Sequence, residues 1–66
     1  MDLWKFANNK PKVKITDTQG NDYIGNVIDV LDDDTTEYGE DSIAIDLPYG
    51  VIRIFLESGI SSIREI

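Results

Sequence analysis

Apolar and polar residues alternate along most of this chain, and the breaks in the alternation mark its elements. In "KVKITDT" Val13 and Ile15 face one way while Lys12, Lys14 and Thr16 face the other, which predicts a half-buried strand over 12–18. "TQGND" reads as a turn, with Gly20 or Asn21 suited to positive φ. "DYIGNVIDVL", residues 22–31, predicts a longer second strand, and Gly25 inside it predicts a sharp bend or a bulge. After an acidic stretch, Ile43, Ile45 and Leu47 alternate over 42–47, and Pro48 and Gly50 suit the first corner and the close of a turn. "VIRIFLE", 51–57, is apolar on both faces, and a very short connection leads into a last strand over 60–66. Ahead of all this, residues 2–8, "DLWKFAN", predict a short α-helix with Asp2 at its cap. Asn8, Asn9 and Pro11 end it, because the residue before proline avoids helical geometry.

Five short antiparallel strands in 66 residues cannot lie as a flat sheet. The expected fold is mainly β: one domain over 1–66, with the N-terminal helix followed by a strongly bent five-stranded sheet that closes into a small barrel. A strand apolar on both faces needs cover on both. One face of 51–57 fits the barrel interior. The other face, or the strand's edge, calls for either the N-terminal helix or a second copy of the chain.

Composition narrows the chemistry. The net charge of −7 sets up a surface that repels nucleic-acid phosphates at long range. Cysteine and histidine are absent, which removes disulfides, thiolate ligands and the commonest general base. Ser58, Ser61 and Ser62 have no evident base to activate them. No enzymatic activity and no cofactor are expected. A chain this short buries only about 60% of its unfolded surface, so assembly with other copies is the reinforcement that its composition leaves open. No apolar run approaches the roughly 20 residues that span a bilayer, and the start "MDLWKFANNKPK" lacks a secretory core. The expected location is the cytoplasm.

The order of helix and bent strands, the turn "TQGND" followed by Tyr23, Ile24 and Gly25, and the end "FLESGISSI" with Gly59, Ile60, Ser61 and Ser62 together resemble the Sm-like (LSm) family. The likeness is nearest to its bacterial form and covers nearly the whole chain. Other small barrels of the SH3 kind share the five-strand plan. The resemblance implies a barrel that assembles into rings, the fourth strand of one copy pairing with the fifth of the next. Where the family carries basic residues for RNA, this chain has Glu57 and Ser58, so the family's RNA-binding groups do not carry over.

Four groups of residues are candidates for function. Val51, Ile52, Ile54, Phe55, Leu56, Ile60 and Ile63 are expected to form a homo-oligomer interface by strand addition. Lys10, Lys12, Lys14 and Arg53 could contact RNA or an acidic partner; Lys12 and Lys14 equally suit the wet face of a strand, and the basic end could steer assembly by meeting another copy's acidic loop. Trp4 and Phe6 could stack on bases, but the preferred reading makes them core under the helix. The acidic stretch 29–42 fails as an EF-hand loop, because counting from Asp32 puts Glu37 at the glycine position and Ile43 at the glutamate position. It reads as a solvated loop that discourages edge-to-edge contact, with a looser cation site at Asp32, Asp34 and Glu37 as the alternative. The function expected is a non-enzymatic, homo-oligomeric interaction module that binds a further protein; an RNA-binding protein with an atypical site and a cation-responsive module are the alternatives.

Overall fold

A computed structural model describes residues 2–34 and 39–66. Five strands follow one another as predicted by the alternation: β1 Lys12–Asp17, β2 Asp22–Leu31, β3 Ser42–Leu47, β4 Val51–Leu56 and β5 Ile60–Glu65. They form one antiparallel sheet in the order β4-β3-β2-β1-β5. The sheet does not close into a barrel, since β4 and β5 are its two edges. The expected N-terminal α-helix is also absent. Residues Leu3–Phe6 make a single 3-10 turn instead, capped by the Asp2 carboxylate, which accepts the N–H of Trp4. Helix nucleation is costly, and seven residues ahead of a proline are too few to recover that cost by propagation.

β2 belongs to two ladders in succession. Asp22 to Asn26 pair with β1, and Asn26 to Leu31 pair with β3. The register slips between Val27 and Asp29, so the bulge lies beyond Gly25 rather than at it. Gly25 has a different reason to be glycine: a Cβ there would run into the backbone carbonyl of Asp46 on β3. Close approach of two backbones is a standard use of a missing side chain.

The face bearing Val13, Ile15, Val27, Val30, Ile43, Ile45 and Phe55 is the core face, and Leu3, Phe6 and Ile60 complete the buried cluster. The N-terminal turn thus supplies two core side chains, Leu3 and Phe6, without being an α-helix. Trp4 departs from its expected core role. It is 43% exposed and its indole Nε1–H donates to the Asp41 carboxylate at 3.0 Å. The chain reverses between β3 and β4 over Pro48–Gly50 with Tyr49 at φ 73° and Gly50 at φ 75°, so Pro48 takes the first corner of the turn and Gly50 its close, as the sequence suggests.

Two substitutions test this packing. Gly25→Ala forces β2 and β3 apart and is expected to destabilise by about 1–3 kcal/mol, read from urea unfolding. Ser42 is fully buried and its hydroxyl has no hydrogen-bond partner among the described residues. Ser42→Ala should therefore stabilise the protein by about 1 kcal/mol; a loss of stability would mean that the hydroxyl is satisfied.

Candidate functional site

Edge strands expose unpaired N–H and C=O groups that natural proteins guard with charge. The two edges here are guarded very differently. β5 presents exposed Ser61, Ser62, Arg64 and Glu65. β4 presents exposed Val51, Ile52 and Ile54, at 54, 62 and 56%, and Arg53 as its only charge. The neither-face-polar pattern of "VIRIFLE" is thus uncovered: the N-terminal turn packs against the core cluster and leaves these aliphatics in solvent. Of the seven residues expected at an interface, Phe55 and Ile60 are buried in the chain's own core, Leu56 and Ile63 are half-buried, and Val51, Ile52 and Ile54 are accessible.

The apolar edge continues past the β3–β4 turn. Tyr23, Ile24, Leu47, Pro48, Tyr49 and Val51 line an open cleft of about 420 Å³. Tyr49 is fully exposed although its left-handed backbone is uncommon for a bulky residue. Neither Ile24 nor Tyr49 carries a sequence signal for this role: Ile24 sits in an ordinary alternation, and "PYG" reads as a plain turn.

The four candidate cations are not brought together. Lys12 and Lys14 alternate with Val13 and Ile15 and so stand on the outer face of β1, and Lys14 Nζ lies 3.5 Å from Asp22. Arg53 lies three strands away in the sheet order, on the core face with Phe55. Its guanidinium sits 4.6 Å from the centroid of Tyr23 and 5.0 Å from that of Phe55, a cation–π arrangement at the margin of the core. Lys10 is exposed in the left-handed region at φ 47° just before β1.

Acidic residues fasten the ends of the sheet. The Glu40 carboxylate accepts the backbone N–H of Ser58 at 2.7 Å and its hydroxyl at 3.1 Å. A carboxylate therefore sits on the β4–β5 turn, the position at which the resembled family presents cations. Asp41 accepts Trp4 Nε1–H and the N–H of Asp33. These contacts give the end of the acidic stretch a structural task that a solvated loop does not have. Glu37 lies outside the described residues, and among the described residues no three acidic groups converge on a metal position.

The β1–β2 turn is organised by Asp17. Its carboxylate accepts the N–H groups of Gln19 and Asn21, the Asn21 side-chain amide and the Tyr23 hydroxyl. The Asn21 N–H, with these other donors, holds its pKa below the ordinary aspartate range against the opposing effect of desolvation. Asp22 is also lowered, by the Thr16 hydroxyl first and by neighbouring Lys14. Among the described residues no helix is long and apolar enough to cross a membrane. The chain matches no family model, no curated protein and no solved structure.

Because the folded-state pKa of Asp17 is depressed, its stabilisation is complete above the unfolded value near 4 and is lost as pH falls below it. Asp17→Asn should lower the melting temperature at pH 7 and shallow the acid limb of the stability curve. An unchanged acid limb would show that the turn's hydrogen bonds do not survive in solution.

Proposed function

We propose that this chain is a non-enzymatic, Sm-like assembly module that forms a homo-oligomer through its open sheet edges and offers that assembly as a platform for another protein. One observation carries the reading: edge strand β4 holds three aliphatic side chains more than half exposed on a protein of net charge −7. A surface otherwise rich in carboxylates resists casual association, which makes one greasy edge a specific contact rather than general stickiness. The Sm-like resemblance supports the same residues, since it implies contacts through the fourth and fifth strands. RNA binding has less support, with Lys14 beside Asp22, Arg53 stacked on rings and Glu40 on the β4–β5 turn.

The test is mass in solution. Light scattering at high micromolar concentration should report more than one chain per particle, falling on dilution. A single-chain mass throughout that range overturns the proposal.

A further inference from the structure

Backbone direction decides which partner edge β4 can accept. Glu57 donates its N–H to the Asp41 carbonyl, across the β3–β4 ladder, at 2.9 Å. N–H groups alternate from side to side along a strand. Phe55, Arg53 and Val51 therefore bond inward to β3, while Ile52, Ile54 and Leu56 aim their N–H and C=O groups at the open edge. On β5, Ile66 donates to the Lys12 carbonyl, so Arg64 and Ser62 bond inward and Ile63 and Glu65 aim outward.

Side-chain faces follow from the registers. Phe55 pairs with buried Ile43, so Arg53 and Phe55 share the core face, and Ile52, Ile54 and Leu56 stand on the outer face. Ile63 pairs with buried Ile15 and Glu65 with buried Val13, so both stand on the core face. The outward-bonding residues of β4 are thus outer-face residues, and those of β5 are core-face residues. Opposed residues in a regular antiparallel ladder share a face. A β4–β5 ladder between copies must turn one sheet over, and it sets Ile52, Ile54 and Leu56 alongside a row containing Glu65. A β4–β4 ladder keeps both sheets facing the same way.

Only two β4–β4 registers of the correct parity keep five residues of each strand paired. One centres on Arg53 and sets two guanidinium groups directly opposite, which like-charge repulsion disfavours. The other centres on Ile54. It pairs Ile54 with Ile54 of the second copy and Ile52 with Leu56, so six aliphatic side chains form one row, and it places each Arg53 opposite the second copy's Phe55. We propose that β4 pairs with β4 of a second copy about a two-fold axis through Ile54, making a continuous ten-stranded sheet. The inference rests on the assembly reading above and specifies its partner strand and register. The dimer interface is one strand pair, at the small end of specific interfaces, so its formation depends on protein concentration.

The chain has no cysteine, so one introduced thiol is diagnostic. In a hydrogen-bonded antiparallel pair the Cα atoms lie about 5.5 Å apart, within disulfide range. Ile54→Cys should form a disulfide-linked dimer on mild oxidation, whereas Ser62→Cys on β5 should remain uncrosslinked. The wild type should have the mass of two chains. Ile54→Lys, at a position exposed in the single chain, should keep the circular dichroism of the wild type and be monomeric. A particle of more than two chains with no Ile54→Cys dimer overturns the two-fold register in favour of head-to-tail pairing and leaves self-assembly standing. A dimer that survives Ile54→Lys overturns the register alone. A wild type that is a single chain overturns both readings.

Discussion

The structure depends on one strand serving two ladders. The first half of β2 completes its hydrogen bonds with β1 and the second half with β3, and Asn26 belongs to both. A buried strand must place its N–H and C=O groups somewhere. By dividing them end to end, a ten-residue strand turns one sheet through a corner and forms a concavity that holds the core. Gly25 lets the β3 backbone come close at that corner, and the slip between Val27 and Asp29 adds local twist. The 3-10 turn then covers the concavity with Leu3 and Phe6.

That arrangement fixes where the edges are. β1, β2 and β3 have neighbours on both sides, and β4 and β5 each have a neighbour on one side only. The chain answers the exposure of β5 with Arg64 and Glu65 and leaves β4 with Arg53 as its single charge. The difference lies in side chains on the same backbone geometry, and the proposal of assembly rests on it. The acidic stretch fits the same picture: its end fastens the N-terminal turn and the β4–β5 turn through Asp41 and Glu40, while β4's edge stays open.

Much of the fold was legible because period-two alternation is a local signal. Strands at 12–18, 22–31, 42–47, 51–57 and 60–66 were read from apolar positions, and their ends differ from the structure by one residue at most. What alternation cannot show is whether the two edge strands, β4 and β5, come together, so it does not decide closure of the sheet. The helix was over-read for a related reason: a favourable cap and an apolar face describe a helix but say nothing of whether seven residues repay nucleation. Trp4 looked like core because tryptophan is large and apolar; its Nε1–H instead found a carboxylate 37 residues on, a contact no spacing rule anticipates. Of the candidate site, β4's excess of aliphatics was readable, whereas Ile24 and Tyr49 became neighbours only through the β2–β3–β4 register. Proximity in sequence puts the three lysines together, whereas the sheet order sets Arg53 on β4, three strands from β1.

Trp4 is the chain's single tryptophan, and its indole is tethered to the acidic segment while standing largely outside the core. Its fluorescence therefore reports on how firmly the amino end is moored to that segment. A loosening of that mooring exposes the indole N–H to water and changes its emission.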